Sequence, residues 1–218
     1  MAFSRKGISD IIAAVMIVAI AFGLTSTAYI WGAPLVQKRQ EASVTEKVYS
    51  QFIQTNQNSL PKMIEDVANN RGVKTFTISV DGTWILNEAE DSIEFTFDSK
   101  TTNIAANTPF PISLTPGVQC VPSPSPLSGT LGQDSSSVVC ASATNLGDVF
   151  EIKYKIWFRE LHDNPFSPTQ TFDIELDKGT GLTQSTSRSI QISFGDSTQS
   201  SPQPGQTLIT KKVKILII

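Results

Sequence analysis

Two groups of side chains in this chain are of the types that bind metal ions. Glu160 and His162 stand two residues apart in a strand-like stretch, so they share one strand face and form a candidate metal-binding pair. An acidic cluster, a candidate weak Ca²⁺ site, is formed by Glu88, Glu90, Asp91 and Glu94. Neither group has the ligand spacing of a metal-binding loop. The sequence therefore favours a solvated strand end for the first group and a solvated turn for the second.

The sequence has no pattern typical of a catalytic or nucleotide-binding site. It lacks a phosphate-binding glycine loop, a dinucleotide-binding glycine pattern, a nucleophile elbow and a zinc-ligand spacing. A net charge of −3, a pI of about 5.2 and the absence of a basic stripe argue against nucleic-acid binding. We therefore predict a protein that is not an enzyme, with no cofactor, no bound metal and no nucleic-acid partner.

The two cysteines, Cys120 and Cys140, are predicted to form a disulfide. The bond would close a loop of 21 residues rich in Pro, Ser and Gly, and would contribute about 3 kcal/mol in the chain-entropy model. Two separate buried thiols and a metal pair are the alternatives. A metal pair is disfavoured because the spacing is not a zinc spacing and His162 is the only histidine. A disulfide requires an oxidising compartment, which is normally outside the cytoplasm.

A long uncharged stretch lies near the start of the chain. Residues 11–36 contain no Asp, Glu, Lys or Arg across 26 positions. As a helix this stretch would be about 39 Å long, whereas a bilayer core of about 30 Å needs about 20 residues. A core helix of a soluble domain is rarely apolar on every side for this length. The stretch is therefore predicted to be a helix that is long enough to span a membrane.

Two conventional interpretations of this stretch stay open. It is a secretory signal peptide if residues 26–28 (Ser-Thr-Ala) are its cleavage site, although the apolar run continues beyond them. It is an uncut signal anchor if Arg5 and Lys6 stay on the cytoplasmic side, although Lys38 and Arg39 on the far side weaken that argument.

The residues before the stretch support a third interpretation. Residues 5–13, Arg-Lys-Gly-Ile-Ser-Asp-Ile-Ile-Ala, resemble the N-terminus of archaeal type IV pilins and archaellins, and the resemblance covers residues 1–40. In that family a membrane prepilin peptidase cuts directly after the glycine. The resemblance therefore implies a processing site made of Arg5, Lys6, Gly7 and Ile8, with the cut between Gly7 and Ile8.

Asp10 is a candidate partner for the amine that this cut would create. Archaeal relatives often carry Pro at the position of Asp10, and bacterial pilins carry Glu at that of Ile12. After cleavage Ile8 would carry a free amine, mostly protonated at neutral pH, which is costly to bury unpaired. Asp10 could neutralise this amine within one subunit or between subunits. Alternatively, Asp10 only stabilises the helix N-terminus through the helix dipole.

Helical periodicity continues beyond the apolar stretch. Pro34 is expected to bend or interrupt the helix, and Val44, Val48 and Phe52 share one face of its continuation. Ser59 is the predicted N-cap of a second helix. The buried side of that helix is predicted to comprise Leu60, Met63, Ile64 and Val67, and its end to lie at residues 70–72.

After residue 72 the apolar period changes from helical to two, which is typical of strands. Asp81-Gly82 predicts a hairpin turn. In the strand over residues 149–161, Trp157 and Arg159 are predicted to face away from the core. A C-terminal strand carries what we predict to be edge-strand charges: Lys211, Lys212 and Lys214.

About seven or eight short strands in total favour the α+β class, a long hydrophobic helix followed by an antiparallel, immunoglobulin-like β-sandwich. Archaellins and many archaeal pilins have such a domain after the helix, so the resemblance and the strand pattern agree. The predicted division is a leader (1–7), a hydrophobic helix (8–36), an amphipathic helical connector (37–72) and an extracellular β-sandwich domain (73–218).

The resemblance implies a structural subunit of an archaeal type IV pilus-like filament. The expected partners are prepilin peptidase, the membrane before assembly, other copies of the chain and, indirectly, the assembly platform and its ATPase. The mature form would lie at the cell surface, where the β-domain serves adhesion or subunit contacts. The alternative is a single-spanning, envelope-binding accessory or stator protein of an archaellum-like machine.

Overall fold

The computed structural model describes residues 5–104, 107–112, 117–120 and 126–218, with side chains from residue 11 onward. The chain divides into two compact units, Met1–Glu41 and Ala42–Ile218. Helix α1 (Arg5–Phe52) is 48 residues long and contains Pro34. The helix is not interrupted at Pro34, because a proline removes one backbone hydrogen bond while long helical segments on both sides keep theirs.

The last turns of α1 belong to the second unit and contribute to its core. Val48 and Phe52, which were predicted to share one face of the helix, are fully buried. Val44, on the same face, is 39% exposed, while the neighbouring Thr45 is buried. The Thr45 hydroxyl lies 3.1 Å from the hydroxyl of Ser99 in the β-domain. The buried side of α1 therefore includes a threonine whose hydroxyl group has a hydrogen-bond partner in the β-domain.

Helix α2 (Leu60–Asn70) follows a short connection, and it ends where the sequence predicted. Arg71 and Gly72 both have positive φ angles, 61° and 115°, which turn the chain out of the helix. Ser59 occupies the N-cap position with an extended backbone, but its side chain makes no capping hydrogen bond. The predicted inner side of α2 is buried at Leu60, Ile64 and Val67 and partly buried at Met63.

Twelve strands lie in the described part of the second unit. They are β1 (Val73–Thr77), β2 (Thr83–Asn87), β3 (Ser92–Ser99), β4 (Phe110–Pro111), β5 (Ser128–Thr130), β6 (Ser137–Asn145), β7 (Phe150–Phe158), β8 (Glu160–His162), β9 (Gln170–Asp177), β10 (Gln184–Thr186), β11 (Ser189–Ser200) and β12 (Thr207–Ile217). The predicted total of seven or eight is too low because β4, β5, β8 and β10 are only two or three residues long. The sequence also predicts a short strand near residues 112–114, which falls partly outside the described residues.

The strands form two six-stranded sheets that pack as a sandwich. The first sheet has the order β1-β11-β12-β9-β8-β5, and the second has the order β10-β2-β3-β7-β6-β4. Most neighbours are antiparallel, but β12 pairs with β9 and β5 pairs with β8 in parallel. The predicted fold class, a long apolar helix followed by an antiparallel-dominated sandwich in an α+β chain, is confirmed.

One continuous core joins both sheets to the two helices. Its largest fully buried side chains include aromatic residues from α1 and the second sheet and isoleucines from the first: Phe52, Trp84, Phe95, Tyr154, Ile190 and Ile192. The alternation predicted for β3, β7 and β12 places every second side chain in this core. Because the aromatic side chains bury large areas, they dominate the packing of the domain.

The hairpin predicted at Asp81-Gly82 is wrong. β1 pairs with β11 in the first sheet, whereas β2 pairs with β3 and β10 in the second, so these two residues connect the sheets. A Cβ atom at Gly82 would lie within contact distance of the Phe95 ring and the Thr96 carbonyl oxygen. This glycine is therefore needed for close packing against β3 rather than for a hairpin turn.

The edge-strand prediction for the C-terminal lysines is also wrong. β12 lies between β11 and β9, so it is an interior strand of the first sheet. Lys212 forms an ion pair with Glu175 on the neighbouring β9 at 3.4 Å. Lys211 lies on the opposite side of the strand from Lys212 and contacts α2. Lys212 and Lys214 therefore share one face of the sheet, and Lys211 lies on the other.

Candidate assembly helix and ligand pocket

Within the unit Met1–Glu41, the apolar part of α1 has no protein cover. All described side chains over residues 11–31 are exposed, and Phe22, Tyr29 and Trp31 expose 70%, 75% and 76% of their surface. Among the described residues α1 is the one helix long and apolar enough to cross a membrane. An apolar surface of this size needs lipid or another protein surface around it.

Two polar side chains of this stretch are satisfied inside the helix. The hydroxyls of Thr25 and Thr27 donate hydrogen bonds to the carbonyl oxygens of Ala21 and Gly23, at 2.7 and 2.8 Å. Such internal satisfaction is what a helix in hydrocarbon or in a helical bundle requires. Apart from their chain neighbours and the nearby backbone of α1 itself, no described atom lies within 4 Å of the Cβ positions of Gly23 and Gly32, so close approach of another helix is sterically open there.

The predicted processing residues Arg5, Lys6, Gly7 and Ile8 fall within the bounds of α1. Their side chains, and that of Asp10, lie outside the described ones. The cleavage site and the pairing of Asp10 with the new amine therefore stay predictions.

The structure contains the predicted disulfide between Cys120 and Cys140, with a Cα–Cα distance of 6.0 Å. Both cysteines belong to a small second core on the outer side of the second sheet, together with Val118, Val138 and Trp157. Trp157 faces away from the main core, as predicted, and is only 8% exposed because this small core covers its ring. The Lys155 ammonium lies 4.4 Å from the centre of the Trp157 ring. The disulfide therefore holds an apolar cover over a strand face.

The candidate metal-binding pair occupies β8. His162 Nε2 lies 3.8 Å from Glu160 Oε2, and its Nδ1 lies 2.9 Å from the Thr171 hydroxyl. Among the residues that the structure describes, no group of three or more potential metal ligands converges. The pair is therefore part of a polar strand surface.

The acidic cluster does not converge on one point, because each carboxylate has its own partner. Glu90 pairs with Lys155 at 2.9 Å and Glu94 pairs with Lys153 at 3.1 Å. The other two acids bond elsewhere, Glu88 to Lys178 (3.6 Å) and Asp91 to the backbone N–H of Leu176 (3.0 Å). These contacts tie the β2–β3 turn to β7 and β9.

A pocket of about 270 Å³ lies in the β-domain between α2, strands β8 and β9, and the loop after β5. Leu131, Leu161, Phe172 and Ile174 form its apolar part. Its polar part includes Lys62, Glu65, Asn69, Asp134, Ser136 and Lys211. Sequence reasoning missed this pocket, because its residues come from separate stretches and no local motif connects them.

One carboxylate of the pocket is satisfied by a set of hydroxyls. Glu65 Oε1 accepts hydrogen bonds from Ser135, Ser136 and Ser137 at 3.1, 2.8 and 3.2 Å. Its Oε2 lies 2.7 Å from the Lys62 ammonium. Glu65 therefore joins α2 to the segment that leads into β6, and its charge is already compensated.

Arg159 also contacts the segment that leads into β6. Its side chain lies outside the main core but is only 5% exposed, and its Nε donates a hydrogen bond to the Ser135 carbonyl oxygen at 2.9 Å. Burial lowers the pKa of this guanidinium, while Asp134, with Oδ1 3.9 Å from Nη2, acts in the opposite direction. Polar contacts with Glu65 and with Arg159 thus hold the loop that lines the pocket.

Comparison with known proteins gave no match to the chain, either among protein-family models, among curated proteins or among solved structures.

Proposed function

We propose that this protein is a pilin-like structural subunit of an archaeal type IV pilus-like extracellular filament. One observation carries the proposal: an exposed, uncharged helical stretch of 26 residues follows an Arg-Lys-Gly-Ile motif and continues into a β-sandwich domain. Prepilin peptidase cuts between Gly7 and Ile8, and the helix then serves assembly.

The helix passes through two apolar environments in this scheme. Before assembly it spans the membrane, where residues 11–36 face lipid. After assembly it packs against copies of itself, where its small residues allow close approach. Both environments cover the surface that the isolated helix exposes, and both require the internal hydrogen bonds that Thr25 and Thr27 make.

The β-domain lies outside the cell in both stages and serves adhesion or contacts between subunits. A disulfide persists in such an oxidising compartment, and the Cys120–Cys140 bond suits a surface that must be durable. The assembly platform and its ATPase act on the subunit through the membrane stage. No cofactor is needed for this role.

Intact-mass measurement and N-terminal sequencing of protein from sheared surface fractions test the proposal. We expect the mature chain to start at Ile8 in filaments seen by electron microscopy. Gly7→Val should block processing and assembly, whereas the matched control Ala2→Val, which adds the same bulk before the motif, should not.

The same experiment distinguishes the competing functions. A chain that is processed or unprocessed but found only in membranes, without filaments, would favour the envelope-binding accessory or stator protein. A mature chain that starts at Tyr29 would mean that the helix is an export signal, which would contradict the filament proposal.

A further inference from the structure

Lys211 stands at the rim of the domain core. In the parallel pair of β12 and β9 it lies opposite Ile174. Because alternate residues of a strand share one face, it lies on the same face as Val213 and Ile215, which are fully buried. Its side chain therefore extends on the core side of the sheet, toward α2, and lines the pocket described above.

The Lys211 ammonium has a neutral partner instead of a counter-ion. Its Nζ donates a hydrogen bond to Asn69 Oδ1 at 2.7 Å. Within the described ranges no carboxylate lies at ion-pair distance from it, whereas Lys62 pairs with Glu65. Burial lowers the pKa of Lys211, and the positive charge of Arg71 lowers it further. This end of the pocket is therefore short of negative charge.

The other acids of the pocket do not remove this imbalance. Glu65 is compensated by Lys62 and by three hydroxyls. Asp134 faces the Arg159 guanidinium, with Oδ1 3.9 Å from Nη2, and its Oδ2 accepts a hydrogen bond from the Thr130 N–H at 2.7 Å. Asp173 is paired in register with Thr210, so its side chain lies on the opposite sheet face from Lys211. The charges that act on Asp173 are those of other acids, including Glu160 and Glu175.

We propose that this pocket binds a single acidic sugar unit, with the sugar carboxylate placed against the Lys211 ammonium. A carboxylate would supply the missing counter-charge through a charge-assisted hydrogen bond. The C–H face of the ring would lie on the apolar wall formed by Leu161, Phe172 and Ile174. Asp134 would accept hydrogen bonds from ring hydroxyls.

The size of the pocket agrees with one sugar unit. Its 270 Å³ is close to the lower end of the range of about 300–1,000 Å³ typical of small-molecule sites. A wall that combines an aromatic ring, aliphatic side chains and a few convergent polar groups is also typical of such sites. A longer glycan would extend into solvent from this position.

The structural alternative is that Lys211 only stabilises the C-terminal turn of α2. Asn69 lies in that turn, and a cation there interacts favourably with the helix dipole. This alternative predicts a loss of stability when Lys211 is replaced, but no ligand. Binding and thermal unfolding must therefore be measured on the same variants.

The test is a calorimetric titration of the full chain in nanodiscs, which avoids sugar-based detergents. The probes are glucuronate, glucose as its uncharged match and acetate as a bare carboxylate. The variants are Lys211→Met, with Lys214→Met as the exposed control on the same strand, and Asn69→Asp, with Asn70→Asp as its control. Asn69→Asp keeps Lys211 but gives it an internal carboxylate, so it tests the site even if Lys211→Met folds poorly.

We expect saturable glucuronate binding by the wild type and both controls. Lys211→Met and Asn69→Asp should each weaken it by at least about tenfold, or about 1.4 kcal/mol. The proposal is overturned if the wild type does not bind glucuronate, if glucose or acetate binds as well as glucuronate, or if Asn69→Asp binds like the wild type. Ligand binding here does not require filament assembly, so its failure would leave the processing and assembly tests untouched.

Discussion

The ring of Phe52, the last residue of α1, stacks on the ring of Tyr154 in β7 with 4.4 Å between ring centres and 7° between ring planes. Phe52 also stacks near Phe95, with centres 6.1 Å apart. Burial raises the pKa of the Tyr154 hydroxyl, as expected for a phenol enclosed by this aromatic packing. The end of the long helix is thus part of the centre of the β-domain.

Phe52→Ala should destabilise the β-domain by about 3–5 kcal/mol, because it leaves a cavity between the sheets. Denaturant unfolding monitored by tryptophan fluorescence measures the effect. The matched control is Phe166→Ala, since Phe166 is 94% exposed, and its effect should stay within about 0.5 kcal/mol. Equal effects of the two substitutions would contradict the central role of Phe52.

Removal of the disulfide by Cys120→Ala with Cys140→Ala should cost about 3 kcal/mol, because the unfolded chain gains loop freedom. It should also loosen the cover over Trp157 and shift its fluorescence to longer wavelength. Reductant should reproduce both changes in the wild type and have no effect on the double variant. An unshifted emission spectrum in the double variant would show that the cover does not depend on the bond.

Gly82→Ala should destabilise the domain by about 1–3 kcal/mol, since the added methyl group overlaps the Phe95 ring and the Thr96 carbonyl oxygen. Thermal unfolding is the measurement. Gly32→Ala, at a helical position with open space, is the control and should not lower stability. If Gly82→Ala left the unfolding temperature unchanged, the close approach of the β1–β2 connection to β3 would be wrong.

The titration of Asp173 should make the stability of the folded domain depend on pH. Burial, followed by the charges of Asp91, Glu160 and Glu175, raises its pKa from 3.8 to about 6. Between these values the folded state holds a proton that the unfolded state releases, so stability falls as pH rises from about 4 to about 6. Above this range the folded state has a charged, half-buried carboxylate.

Asp173→Asn should therefore raise the unfolding temperature at pH 7 and change it little at pH 4. After allowance for solvent screening we expect about 1 kcal/mol, or about 2–4 °C. Asp148→Asn, in an exposed turn, provides the control for the loss of one acid. A gain that is the same at both pH values would rule out titration of Asp173 as its cause.

Ala19→Lys should block membrane insertion and assembly, since a lysine at the centre of a membrane helix costs about 2.5–3.5 kcal/mol. Ala42→Lys is the matched control, because Ala42 is also an exposed alanine of α1 but lies outside the apolar stretch. Membrane fractionation followed by electron microscopy of sheared filaments measures both steps. Normal filaments from the Ala19→Lys chain would contradict the proposed role of the stretch.

Local patterns predicted the elements of this fold well. The charge-free run predicted the exposed apolar helix, and period-two alternation predicted the buried faces of β3, β7 and β12. The same kind of reasoning failed at Asp81-Gly82, because a tight turn looks alike whether the next strand pairs back or crosses to another sheet. It also did not show that Trp157 and Arg159 are covered, because their covers come from residues distant in the chain.

The sequence by itself determined the apolar helix, the ends of α2 and the alternation of the long strands, because these depend on side chains close together in the chain. Only the tertiary structure decided the sheet order, the interior place of β12 and the pairing of β9 with β12 in parallel. It alone brought Asn69 of α2 and Lys211 of β12 within 2.7 Å of each other. Contacts between residues this far apart in the chain depend on how whole sheets and helices pack, and no local periodicity encodes that packing.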